Sequence, residues 1–160
     1  MNRQIPQKGF TLVELLVAVG IIGILATVST VAIQNIRTKA RDAKRIQDVR
    51  TLAAALDQYA DSNATFVLEG CTQGVRTTQC VIPADFPLQN FTQIQDPLGT
   101  TACGRGVAIP CQFSIGSLTA TTEYEICFGL ERGDPSIGAA GLYRITPGRQ
   151  ILSSCSYQAQ

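Results

Sequence analysis

The sequence predicts an α+β chain in which one long N-terminal helix packs its distal half against a small antiparallel sheet. Three observations carry that expectation. From Phe10 to Ile33 the chain is apolar with Glu14 as its only ionisable side chain, and small or apolar residues then recur every three or four positions as far as Ala60. From Glu123 to Glu131 apolar and polar residues alternate strictly, the period of a strand. Six cysteines, Cys71, Cys80, Cys103, Cys111, Cys127 and Cys155, all follow the apolar run, as expected of an exported head with a small core.

At 1.5 Å per helical residue the run from Phe10 to Ile33 is about 36 Å long, enough to cross a bilayer with some tilt. A carboxylate in hydrocarbon costs roughly 2.5 to 3.5 kcal/mol at the centre of such a helix and less toward its ends. Glu14 therefore either sits at the headgroup level or needs a cation. A cut between Gly9 and Phe10 would create an amine one helical turn away, and a neighbouring copy's terminus would serve equally well.

Gly9-Phe10-Thr11-Leu12-Val13-Glu14-Leu15-Leu16, followed by Ile21-Ile22-Gly23-Ile24-Leu25-Ala26, resembles the class III leader and membrane helix of type IV prepilins and of the pseudopilins of type II secretion or DNA uptake. The resemblance is specific over residues 8 to 26, looser to about Asn63 and architectural beyond. It implies a type IV pilin-like fold and a structural filament subunit. A prepilin peptidase would cut after Gly9 and methylate Phe10, and Glu14 would aid docking. The implied partners are copies of the chain, other pilins or pseudopilins, the peptidase, an inner-membrane assembly platform and the lipid bilayer; no cofactor is implied. The implied location is a single-pass inner membrane protein with an exported head, extracellular or periplasmic once in the filament. Val31 stands where many pilins carry a proline, so every backbone hydrogen bond of the helix can be kept.

The expected segments are a leader at 1–9, a membrane or filament-core helix at 10–35, an amphipathic half at 36–63 and a β-rich head at 64–160. Arg3 and Lys8 give the leader the basic flank of a targeting segment. The rival is a secretory signal peptide cut near Val28 to Ala32, releasing a soluble binding domain. The apolar run exceeds the 7 to 15 residues of such signals, and the helical pattern continues through that cut. Arg37, Lys39, Arg41, Lys44, Arg45 and Arg50 would by the positive-inside rule hold the C-terminal part in the cytoplasm. The cysteines and the resemblance imply the opposite orientation.

Ile36, Ala40, Ala43, Ile46, Val49, Ala53, Leu56 and Ala60 form one stripe, and no Gly or Pro falls between Ile24 and Ser62, which predicts a single helix of about 51 residues. Gly20, Gly23, Ala26, Thr27 and Thr30 have either the small-residue spacing of close helix packing or ordinary membrane-helix composition. The basic run reads as a solvated helix face with local pairs Asp42–Arg45 and Lys44–Asp48, and headgroup contact near Arg37 and Lys39 is a further expectation.

Asp61-Ser62-Asn63 ends the helix. Residues 64 to 111 carry Glu69-Gly70, Ile82-Pro83, Phe86-Pro87, Asp96-Pro97 and Leu98-Gly99, the signals of a long irregular connection with at most a short strand. Gln112 to Leu118 is a candidate partner for the strand at 123–131, and Gly141 to Thr146 with Arg149 to Ser154 reads as a hairpin around Pro147-Gly148. The sheet's apolar face must be covered by the amphipathic half of the helix.

Six cysteines allow fifteen pairings. Sequence proximity favours Cys71 with Cys80, Cys103 with Cys111, and Cys127 with Cys155. No CxxC pair and no histidine supports zinc as the alternative.

The same lack of histidine excludes Ser-His and Cys-His catalysis, and no Gly-rich phosphate loop precedes a helix, so no enzyme is expected. Glu123, Glu125 and Glu131 share one strand face and read as its solvated side. Glu131 and Asp134 beside Gly133 are a weak calcium candidate, without a recognised ligand spacing. Residues 61 to 160 hold five basic against eight acidic residues, a net of minus three, so the head lacks the electrostatic footprint of a nucleic-acid binder.

Overall fold

A computed structural model describes residues 9–119 and 123–157, so eight of the nine expected leader residues lie outside the described residues. The chain divides into two compact units, Met1–Arg37 and Thr38–Gln160.

In the first unit the described chain is the start of α1 (Leu12–Asn63). The helix runs unbroken through Val31, and its apolar side chains, such as Leu16, Ile22 and Leu25, are exposed. Its hydroxyls are turned inward on the backbone. Thr27 donates to the Ile24 carbonyl at 2.8 Å, Ser29 to Leu25 at 2.8 Å and Thr30 to Ala26 at 3.1 Å. These donors are therefore already satisfied in an apolar solvent. By length and composition the helix can cross a membrane.

The second unit places the rest of α1 against a four-stranded antiparallel sheet in the order β1 (Ser114–Leu118), β2 (Tyr124–Asp134), β3 (Gly138–Thr146), β4 (Gln150–Ser153). Ile126 pairs with Ile115 on one side and Ile145 on the other, and Ile145 with Ile151. The hairpin of β3 and β4 turns through Pro147–Arg149, where Gly148 has φ +71°. Helix residues Ile46, Val49, Leu52, Ala53, Leu56 and Tyr59 bury against Ile115, Tyr124, Ile126, Phe128, Leu130 and Ile145 of the sheet. The connection from 64 to 113 supplies Leu68, Phe86, Phe91 and Phe113 to the same core. It is irregular, with 3₁₀ turns at Thr77–Gln79 and Phe91–Gln93 and isolated bridges Arg76 to Ser114 and Ala102 to Gln112.

Three expectations are corrected. The upper part of the predicted stripe is wrong: Ile36, Ala40 and Ala43 are exposed, and the buried face at that level is Asp42 and Arg45. Apolarity was a poor guide there because two charged residues, three apart, occupy the sheet-facing side. The basic run is accordingly not all solvated, since Arg45 is fully buried. The polar face of the central strand is not solvated along its length either. Glu125 and Cys127 are buried, because a second small cluster of Cys103, Cys111, Cys127, Cys155 and Tyr157, with Val107 and Leu142 against it, covers that side. Gly129 permits the approach: a Cβ there would stand 3.0 Å from Ile109 and 3.2 Å from the Cys111 sulfur.

Candidate functional site

The sequence leads to two places, the start of α1 and the junction of its distal half with the sheet. At the first, Gly9 and Phe10 precede the helix and are exposed. Glu14 accepts from the Thr11 amide at 2.9 Å and the Thr11 hydroxyl at 2.8 Å, both through Oε2, and the Glu14 amide donates back to Thr11 Oγ1 at 3.3 Å. This is a capping box: Thr11 is the cap, Glu14 sits three residues on, and each side chain satisfies the other's otherwise unpaired N–H. The order Thr-x-x-Glu before an apolar run is its sequence signature, and Thr11 is the partner of Glu14 that this spacing makes available.

At the second place a cluster of charges joins three parts of the chain. Arg45, fully buried, donates through Nη1 to Asp42 at 2.8 Å and to Glu131 at 2.6 Å, through Nη2 to Asp96 at 3.1 Å, and through Nε also to Asp96. Arg41 adds a two-pronged contact to Glu131 at 2.9 and 2.7 Å. Asp42 accepts from three successive amides of β2, Glu131 at 2.9 Å, Arg132 at 2.8 Å and Gly133 at 3.1 Å. Those amides are available because the ladder with β3 is interrupted between Leu130 and Gly133. Gly133 has φ +86°, and a Cβ there would run into the backbone of Gly138 and Ala139. Asp96 accepts from the Leu98 and Gly99 amides, each at 2.8 Å, so no charge in the cluster lacks a partner.

Mutual pairing sets the protonation states. The Arg41 hydrogen bond holds the Glu131 carboxyl down to about 2 against the effect of burial, and Arg45 adds to the pull. Burial pulls the Arg45 guanidinium down, but Asp96 and Glu131 outweigh it and hold it above its usual range. At the other end of β2, Tyr124 donates to Asp57 at 2.9 Å, and burial first, then that carboxylate, pushes the phenol up.

The remaining predicted site residues fall elsewhere. Cys71 is bonded to Cys80, Cys103 to Cys111 and Cys127 to Cys155. Glu125 lies close enough to Cys127 and Cys155 for three ligand atoms to share an ion, but the sulfurs are joined to each other, and Glu125 accepts from the Ser156 amide at 2.7 Å and pairs with Arg144. Glu131 and Asp134 do not converge on a calcium site, since Glu131 is taken by two arginines and Asp134 Oδ1 accepts from Ser136.

Residues 6–30 match the prokaryotic N-terminal methylation motif. Type II secretion system core protein G of Pectobacterium carotovorum subsp. carotovorum is 32% identical over 99 residues, 59% of this chain and 64% of that protein. The protein of the same name from Klebsiella michiganensis is 38% identical over 104 residues, 62% of this chain and 72% of that protein. This chain belongs to that pseudopilin family. The match spans just under two thirds of the Pectobacterium pseudopilin, and no solved structure matches. The architecture agrees with the α+β pilin-like expectation of one long helix on a small antiparallel sheet. For a pseudopilin the buried cluster around Arg45 matters because it ties the helix to the head. Of its contacts only the Asp42–Arg45 pair is visible from residue spacing.

Proposed function

We propose that this pseudopilin is a structural subunit of a secretion filament, processed at its N-terminus and assembled through α1. Residues 1–9 are the leader; a prepilin peptidase removes it after Gly9 and methylates Phe10. Residues 10–35 then anchor the subunit in the inner membrane with the head on the periplasmic side. Copies of the chain and other pseudopilins join it at an assembly platform, and the apolar rods become the filament core. The role is structural, without catalysis.

The observation that carries this reading is Glu14 in its capping box at the head of an otherwise apolar run. Thr11 fixes the carboxylate one backbone residue from the amine that cleavage would create on Phe10. An amine there would be attracted to the carboxylate and so offset part of the cost of carrying the acid in hydrocarbon. Either its own Phe10 amine or a neighbour's would thus offset the acid as the rods leave lipid.

The test is intact mass and N-terminal sequencing from the native membrane, without reduction, together with Glu14→Ala. The expected chain starts at N-methylated Phe10 and lacks six thiol hydrogens, and the variant is processed normally but forms no filaments. Normal filaments from Glu14→Ala would overturn the assembly role. A chain starting near Ile33 would make the protein a secreted domain instead.

A further inference from the structure

Two stretches of the chain carry the acceptor pattern for N-linked glycosylation, an asparagine followed two places on by a threonine with a residue other than proline between them: Asn63-Ala64-Thr65 and Asn90-Phe91-Thr92. The fold treats them differently. Asn63 is the last residue of α1, and Asp61, Ser62, Asn63 and Ala64 are all exposed. The Asn63 side-chain amide donates to the Tyr59 carbonyl at 3.2 Å, a bond within the last helical turn that ties it to nothing beyond α1. Ala64, at φ +54°, turns the chain out of the helix, and the Thr65 hydroxyl accepts from the Val67 amide at 3.1 Å. Asn90 is exposed too, but Phe91 after it is fully buried, its ring edge-on to that of Phe86 with centroids 5.4 Å apart, and Phe91–Gln93 is a 3₁₀ turn.

A glycosyltransferase has to hold asparagine and threonine in its own active site, so the acceptor chain must leave its folded conformation. The end of a helix opens at little cost, whereas opening at Asn90 pulls Phe91 out of the core. The residues two places ahead differ as well. Asp61 makes no hydrogen bond or ion pair among the described residues, which leaves its carboxylate free for a basic side chain of an enzyme. At the other stretch that place is taken by Leu88, which packs against the core.

We propose that Asn63 is an N-glycosylation site, modified on the exported head by a transferase whose donor is a glycan carried on a lipid diphosphate. This rests on the reading of the head as exported. Asn63 Nδ2 bonds to the anomeric carbon of the first sugar while the bond from that carbon to the diphosphate oxygen breaks. The amide loses one proton, the lipid diphosphate leaves, and nothing is oxidised or reduced. Thr65 presents the hydroxyl that the acceptor pattern requires, and the product places a bulky polar group on an already exposed helix end.

The test is peptide mapping of the full chain purified from its native membrane, with the unreduced intact mass taken alongside. Trypsin separates the two candidates: Arg50, Arg76 and Arg105 are successive cut sites, so residues 51–76 hold Asn63 and residues 77–105 hold Asn90. After reduction the 51–76 peptide is expected to carry a glycan that fragment ions place on Asn63, and the 77–105 peptide none. The glycan is lost in Asn63→Gln and in Thr65→Val, and kept in Thr65→Ser and in Asn90→Gln. A bare 51–76 peptide from a chain lacking six thiol hydrogens overturns the inference and leaves export standing. A bare peptide from a chain with its thiols intact overturns the export reading and this inference with it. A sugar on the Ser62 or Thr65 hydroxyl instead of Asn63, or on Asn90 alone, overturns the inference in favour of a different acceptor.

Discussion

Arg45 on the helix and Glu131 on the central strand stand 2.6 Å apart, 86 residues distant in sequence, with the guanidinium fully out of water. Their contact, with Asp42 and Asp96, is the polar counterpart of the apolar core beside it. Removing one member of a buried, mutually paired set costs more than the set contributes as a whole, because the others are left charged and dry.

Arg45→Ala is therefore expected to destabilise the head by about 3 to 5 kcal/mol. Arg41→Ala, whose side chain is 29% exposed, should cost much less, because water screens its pair with Glu131. Thermal unfolding of the full chain in detergent, followed by near-ultraviolet circular dichroism from the buried tyrosines, separates the two. Equal small losses would mean that Arg45 is not the keystone its burial indicates.

Acid should loosen the same junction. The Glu131 carboxyl is held at about 2, below its ordinary value, so the unfolded chain takes up its proton first as pH falls. The stability this group supplies is fully present above about pH 5 and is lost as pH drops toward 2. The difference in melting temperature between the native chain and Glu131→Gln should be constant from pH 7 to 5 and shrink below that. A difference independent of pH down to 2.5 would contradict the pairing.

Ala64, directly after α1, has φ +54° and closes the helix by donating its amide to the Ala60 carbonyl at 2.7 Å. A left-handed conformation costs an L-residue roughly 1 to 2 kcal/mol, part of which glycine recovers. Ala64→Gly should raise stability by about 0.5 to 1 kcal/mol, read as a rise of a few degrees in melting temperature. A fall would show that the methyl group is needed where it stands.

The disulfides should rank by the loop each closes. Cys127–Cys155 spans 28 residues and Cys71–Cys80 spans 9. Loop entropy gives about 3.5 and about 2.5 kcal/mol respectively. Paired alanine replacements, compared by denaturant unfolding, should show the larger loss for Cys127 with Cys155, which also join β2 to the chain end in the second small core.

What could be read in the sequence was whatever depends on near neighbours. The period of Ile46, Val49, Ala53 and Leu56 gives the helix and its lower face, strict alternation gives β2, and Pro147-Gly148 gives the hairpin. The capping box of Thr11 and Glu14 is equally local, since both partners lie within one helical turn. Arg45 was not legible. Nothing near it in sequence distinguishes a buried guanidinium from the exposed Lys44 beside it, because two of its partners come from positions 96 and 131. Glu125 was misread for the same reason: alternation shows which side of a strand a residue takes, and what covers that side, here the 103–111 loop and the C-terminal segment, is set by distant chain.

The three-part tie at Arg45 also has an order in time. A chain made from its N-terminus presents Arg45 long before Asp96, and Asp96 before Glu131, so the guanidinium gains its full set of partners only once β2 has been synthesised. Helix and sheet cannot close over that charge piecemeal. β2, which brings Glu131, completes the clasp.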